Sequence, residues 1–234
     1  MAGILFIISA PSGSGKSTLV NELRRVVSDL EFSVSYTTRP ARGSEQDGHE
    51  YYFVSRDNFE QMIQRDEFLE HAEVFGNYYG TAKRFLEEAA HRGKDLLLDI
   101  DVQGAAQVKQ RIQDAVSIFV LPPSRQVLEK RLRNRSHSEG VHADAMIERR
   151  LAEARKEIEN FPKYDYILVN DRLEDSIDQL SCIVLAERAK RLRGKLSEED
   201  QRRLAIAEHC LQATNATSQK LREILASFAP AVQG

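Results

Sequence analysis

The sequence predicts an α/β fold: a parallel sheet core flanked by helices, with a small mixed α/β lobe and a lid. Three observations predict it. Short apolar runs alternate with segments of helical period. A glycine-rich loop joins the first run to the first helix. One aromatic and β-branched stretch breaks the alternation, its runs too closely spaced for crossover helices.

ILFIIS (4–9) is a short apolar run that ends in a glycine-rich turn, as a buried parallel strand does. KSTLVNELRRVV then places Leu19, Leu23 and Val26 or Val27 on one helical face. DLLLDID (95–101), SIFVLPP (117–123) and YDYILVND (164–171) read as three further strands. Helical period follows each, over 103–112, 124–134 and 173–190. The interrupting lobe carries FSVSYTTRP, EYYFV and FLEHAEVFGNYYG within 32–80. NRSHSEGVHAD (134–144) is polar and aperiodic between two arginine-bearing helices, as a mobile cover would be. Past 195, Ser197 followed by Glu198, Glu199 and Asp200 resembles a helix start, and two charged amphipathic segments follow. The expected organisation is a core of 1–31 and 82–194, with a lid at about 134–150, a lobe of 32–81 and a C-terminal helical extension of 195–234. Three readings of the extension stay open: a homo-oligomer contact, a fold back on the core, or a partly mobile tail.

The chain has 234 residues, 41% hydrophobic and 29% charged, which fits a soluble globular protein and excludes a disordered one. Its net charge of -3 gives no reason to expect nucleic acid or an anionic membrane as partner. No stretch approaches the ~18 apolar residues of a membrane span. The apolar start lacks a charged leader and runs straight into the glycine loop, so a cytoplasmic protein is expected. Cys182 and Cys210, both on helical stretches, read as reduced, packed thiols.

APSGSGKS (10–17) matches a phosphate-loop pattern with Ala10 where glycine is commonest. Pro11 and Ser12 lead into Gly13, Ser14 and Gly15, where glycine lets the backbone curl until successive N–H groups point inward. The following helix adds its positive end. Lys16 reaches outer phosphates, the Ser17 hydroxyl suits Mg²⁺, and Thr18 packs or caps. Strand before and helix after argue against a chance glycine-serine turn. The loop implies a nucleotide triphosphate with Mg²⁺ but says little about the acceptor. In SVSYTTRPARGSEQDGHEYYF, Arg39 and Arg42 flank Pro40, with Ser35 before and Tyr51 after. Two guanidinium forks, a hydroxyl and a phenol suit a phosphate monoester; a solvated basic loop is the plainer alternative.

With FLEHAEVFGNYYGT and LLLDIDVQG added, the stretch from about Ile4 to about Arg191 resembles bacterial guanylate kinases, most specifically in SVSxTTR, GNYYGT and LDIDxQG. The resemblance implies the P-loop nucleoside monophosphate kinase fold and transfer of the ATP γ-phosphoryl to GMP, and to dGMP, as part of purine metabolism. It implies that Ser35, Arg39, Arg42, Tyr51 and Tyr79 hold the GMP phosphate while Glu70, Thr81 and Asp101 face guanine. Guanine offers N1–H and N2–H₂ as adjacent donors, so a carboxylate acceptor reads it where adenine would leave the carboxylate unsatisfied. Without the resemblance, Glu70 and Asp101 read as solvated or salt-bridged carboxylates, and Tyr78 and Tyr79 as packing. The resemblance also places Asp99 near Mg²⁺ and the moving phosphoryl, and Asn170 near the adenine of ATP; a strand-ending Asn equally suits a helix cap.

Donor and acceptor are both anions, and the acceptor phosphate is already a competent nucleophile. Catalysis then reduces to positioning plus positive charge, supplied by Lys16, Mg²⁺ and arginines swung in by closure. Arg131 and Arg135 in EKRLRNRS and Arg150 in IERRL are the candidates, with Arg149 able to share the last role. Arg133 and Arg149 also read as surface charges, and His137 and His142 as solvated lid residues.

Overall fold

A computed structural model of the chain describes residues 3–138, 144–191, 196–211 and 218–229, with the backbone alone over 135–138. Five strands form one sheet in the order β2-β7-β1-β8-β9, where β1 is Leu5–Ser9, β2 Leu30–Ser33, β7 Asp95–Asp99, β8 Val116–Leu121 and β9 Tyr166–Val169. β2 pairs with β7 in parallel (Leu30 opposite Asp95), and β8 with β9 (Ile118 opposite Tyr166). Every residue of β1 and β8 is buried, so both read as apolar runs without alternation. The chain leaves β1 with its two sheet neighbours still to come, one on each side. The carboxyl end of β1 is therefore a topological switch point, where open α/β sheets bind ligands. Helix α1 (Lys16–Val26) begins there and buries Leu19, Val20 and Leu23. Of the two valines, Val27 is buried and Val26 is 60% exposed.

A second sheet, ordered β4-β3-β6-β5, is built from β3 (Tyr36–Thr37), β4 (Tyr52–Phe53), β5 (Phe68–Val74) and β6 (Asn77–Ala82). Helix α2 (Arg56–Gln64) closes one face, burying Phe59 and Met62 with Phe68. The Phe59 ring stacks on Phe68 at 4.4 Å and on Tyr78 at 5.3 Å. A Cβ on Gly80 would lie 2.9 Å from both Phe59 and Phe68, which is why glycine follows the paired tyrosines.

Contacts divide the chain into two compact units, Met1–Ile7 with Ser28–Val116, and Ile8–Val27 with Ser117–Gly234. The first holds the small sheet, β2, β7, α3 (Lys83–His91) and α4 (Val102–Arg111). The second holds α1, β9 and helices α5 (Arg125–Ser138), α6 (Asp144–Ile158), α7 (Leu173–Arg191), α8 (Glu198–Cys210) and α9 (Gln219–Ser227). Helix α8 packs on α7 and α9 on α5. A capping box starts α8: the Ser197 hydroxyl accepts from the Asp200 N–H at 3.1 Å, and Asp200 accepts from the Ser197 N–H. Both cysteines are free thiols on α7 and α8, and burial pushes Cys210 up to about 11.

Two expectations need correction. The FSVSYTTRP run does not belong wholly to the lobe, because Leu30–Ser33 form the edge strand of the large sheet. Half-exposed Glu31, bonded to Arg92, disguises that strand. The polar stretch 134–144 is also not irregular throughout: α5 stays helical to Ser138 and α6 starts at Asp144. Arg133 ties the two, bonding Glu129 one turn back at 3.0 Å and Asp144 at 2.6 Å. The His137 and Arg135 side chains and His142 lie outside the described residues.

Candidate active site

The phosphate loop belongs wholly to the second unit. Gly13 and Gly15 sit at φ +89° and +88°, a backbone region that L side chains rarely adopt. Space is closed there as well: a Cβ on Gly13 would lie 2.9 Å from Leu132, and one on Gly15 2.4 Å from the Asn170 amide nitrogen. Gly15 is the N-cap of α1, with no side-chain cap and no acid in the first turn. The leading N–H groups of α1 thus keep their positive end for an anion. Two side chains hold the loop from outside. Asn170 Nδ2 donates to the Ser14 carbonyl at 2.7 Å, and Arg131 Nη1 donates to the same oxygen at 3.3 Å. Arg131 Nη2 donates to the Asn170 carbonyl at 3.1 Å, and burial lowers this arginine's pKa, partly offset by Asp171. Asn170 is a clamp on the loop, not a cap on α7. Ala10, Pro11 and Ser14 are buried, Lys16 is half-buried in the first turn, and Ser12, Ser17 and Thr18 are exposed. Thr18 does not cap α1. Of the paired arginines in α6, Arg149 is exposed and Arg150 half-buried.

The acceptor candidates gather in the first unit, and strand register explains how. Tyr79 and Thr81 alternate onto one face of β6; Thr81 stands opposite Glu70, and Tyr79 opposite Ala72 and Thr37. The Ser35 and Thr81 hydroxyls lie 3.4 Å apart. Tyr78, on the other face, packs in the lobe core and accepts a bond from Arg56. Arg39 is 7% exposed, with its guanidinium 5.3 Å from the Tyr51 ring centroid. Tyr51 meets Tyr79 edge to face at 5.8 Å. Glu45, which the sequence reading did not single out, grips Arg39 with both oxygens at 2.9 and 3.0 Å and accepts the Arg42 backbone N–H at 2.8 Å. Burial works against the Arg39 charge, but bonds to Glu45 and Tyr79 outweigh it and raise its pKa. The Arg42 side chain itself is exposed.

Glu70 is 3% exposed. Burial pushes its carboxyl up to about 7; bonds from Thr81 oppose the rise and the Asp101 charge adds to it. Asp101 is the N-cap of α4, accepting the Gly104 N–H at 2.8 Å. A Cβ on Gly104 would lie 2.3 Å from a Glu70 oxygen and 3.4 Å from an Asp101 oxygen, so one glycine makes room for both acids. Gln107 seals α4 to the strand beside Glu70, accepting from the His71 N–H and donating to its carbonyl at 3.2 and 2.7 Å. Sequence reasoning missed Gln107 as well as Glu45. Glu45 carries a weak signal, an acid three residues past Arg42; Gln107 carries none.

Mg²⁺ demands oxygen donors and usually arrives with a nucleotide. The exposed Ser17 hydroxyl and the half-buried Asp99 carboxylate are such donors. Among the described residues no cluster of His, Cys, Asp or Glu is arranged to hold a metal alone. Each by itself is the kind of oxygen donor that suits an ion carried by phosphates. No helix among the described residues is long and apolar enough to cross a membrane.

A phosphate loop at the switch point of a parallel sheet, on a chain that also builds a buried arginine and a buried carboxylate, defines the class of P-loop nucleotide kinases. A sequence profile described as guanylate kinase matches residues 3–187. The chain belongs to the guanylate kinase family. The guanylate kinase of Koribacter versatilis is 60% identical over 228 residues, covering 97% of each chain. That of Escherichia coli is 46% identical over 195 residues, 82% of this chain and 92% of its own. A crystal structure of guanylate kinase from Anaplasma phagocytophilum aligns with a TM-score of 0.67 at 36% identity, over 82% of this chain and 88% of that one. The profile ends before α8 and α9.

Proposed function

We infer that this enzyme transfers the γ-phosphoryl of ATP to GMP, giving ADP and GDP, and accepts dGMP as well. The observation that carries the reading is Glu70: a carboxylate this deeply buried can take more donors than Thr81 supplies, and guanine presents two adjacent N–H donors. Ser35, Arg39, Arg42, Tyr51 and Tyr79 would hold the GMP phosphate, with Thr81 and Asp101 beside the base. The lobe of 32–81 would act as the acceptor lobe and the rest of 1–194 as the core with its lid. No nucleic acid or membrane takes part, and the enzyme works in the cytoplasm.

An oxygen of the GMP phosphate attacks the γ-phosphorus of ATP in line. One P–O bond forms, the β–γ bridging bond breaks, and its electron pair leaves with ADP. That phosphate oxygen is already an anion, so no general base is needed. The loop amides of 10–17 would cradle the ATP phosphates, Lys16 would reach the moving group, and Arg131, Arg135 and Arg150 would offset its charge, with Asn170 toward adenine. Mg²⁺, held through Ser17 and Asp99, would supply charge neutralisation across the donor phosphates.

A panel of GMP, dGMP, AMP, IMP, CMP and UMP, each with ATP and Mg²⁺, tests the assignment by ADP release. GMP and dGMP should dominate. Turnover of AMP with none of GMP would reject the substrate.

A further inference from the structure

Helices α8 and α9 lie beyond the profile-matched residues 3–187, and the reaction as drawn gives them no part. Helix α9 nevertheless reaches the two segments that hold the phosphate loop. At its carboxyl end the Ser227 hydroxyl accepts from the Arg125 backbone N–H at 3.0 Å and donates to the Ile224 carbonyl at 2.6 Å. Arg125 opens α5, where leading N–H groups find no partner within the helix. Ser124 caps the Val127 N–H at 3.2 Å, and Ser227 supplies the acceptor that this cap leaves unmet. Less than two turns later on the same helix stands Arg131, bonded to the Ser14 carbonyl.

At the other end of α9, Lys220 lies 3.6 Å from Asp171, the neighbour of the loop clamp Asn170. Both partners of that pair are more than half exposed, so it contributes little alone. The seat of the helix is apolar: Leu221, Ile224 and Phe228 are 2%, 3% and 5% exposed within the single chain. An oligomer contact would have left such a face open.

We propose that α9 is a positioning element of the donor site, with Ser227 as its positioning residue. Ser227 fixes the first turn of α5, and the rigid helix carries that register to Arg131 and the Ser14 carbonyl. The proposal rests on the reading that the loop takes ATP. It predicts that loosening α9 weakens ATP and spares GMP.

Full-length Ser227→Ala and Ser227→Thr test it, with KM measured separately for the two substrates. Ser227→Ala should raise KM for ATP about three- to tenfold and leave KM for GMP within about twofold, and Ser227→Thr should restore both. Hydrogen exchange at the Arg125 amide should quicken in Ser227→Ala alone. Should that variant fold poorly, the exposed Lys220→Glu, which sets like charges against Asp171, should raise KM for ATP in the same direction by a smaller factor and leave KM for GMP unchanged. An unchanged KM for ATP, a joint rise in both KM values, or no rescue by threonine would overturn the proposal. A wild-type chain that makes no ADP from ATP and GMP would instead sink the ATP reading, while the exchange measurement still reports on Ser227.

Discussion

A carboxyl group with a pKa of about 7 is half ionised at neutral pH, and with Glu70 facing guanine as proposed, that fraction would decide what it can read. Only the carboxylate accepts from both guanine donors; the acid form presents a donor of its own. Falling pH should therefore weaken GMP. KM for GMP should rise roughly tenfold from pH 8 to pH 6 beyond the change seen in Glu70→Gln, which subtracts the titration of the GMP phosphate itself. A parallel profile in the two proteins would remove Glu70 from the base. Arg39 stood out in the sequence as a phosphate-binding candidate and Glu70 only through the family resemblance, and the state of neither could be read there. The protonation of Glu70 depends on its burial, and the charge of Arg39 on Glu45, whose carboxylate finds it only after the 39–45 turn forms.

Elements place these groups, and glycines mark where two of them approach most closely. Replacing Gly104 by alanine removes a poor helix former from α4 and should favour that helix by about 1 kcal/mol. The same methyl would collide with the Glu70 carboxylate, 2.3 Å away. Gly104→Ala should accordingly lower kcat/KM for GMP about tenfold or more while KM for ATP stays put, read from initial rates with each substrate varied. Equal loss for both substrates would point to general damage of the fold. The phosphate loop was legible because its glycines answer to local geometry, a left-handed φ at 13 and 15. Strands β1, β7, β8 and β9 were legible because burial on both faces writes an apolar run. Strand β2 was not: Glu31 and Phe32 are only half-buried there, so Leu30–Ser33 writes no apolar run. The Asn170 clamp was equally hidden, since a strand-ending Asn suits several partners and only the tertiary fold supplies the Ser14 carbonyl.

At the scale of the whole molecule, the buried acid sets function against stability. The folded-state pKa of Glu70, about 7, lies above its ordinary 4.5, so the folded state holds the proton more tightly than the unfolded chain. Its contribution is present below pH 4.5 and is lost as pH rises through about 7, a difference of about 3 kcal/mol once ionisation is complete. Glu70→Gln stays neutral, so without nucleotide it should unfold at higher denaturant than the wild type at pH 8. That advantage should shrink to under about 1 kcal/mol near pH 5 and vanish near pH 3.5, well below the ordinary 4.5, and a gap that persists there would assign the effect to packing. GMP should reverse the order at pH 8 by stabilising the wild type alone. Discrimination of guanine from other bases would therefore rest on one ionised side chain. The most direct measurement is the ratio of kcat/KM for GMP to that for AMP at pH 8, in the wild type and in Glu70→Gln. A large wild-type ratio that collapses by about a hundredfold or more in the variant is the predicted result. A variant that keeps its preference for GMP would contradict it.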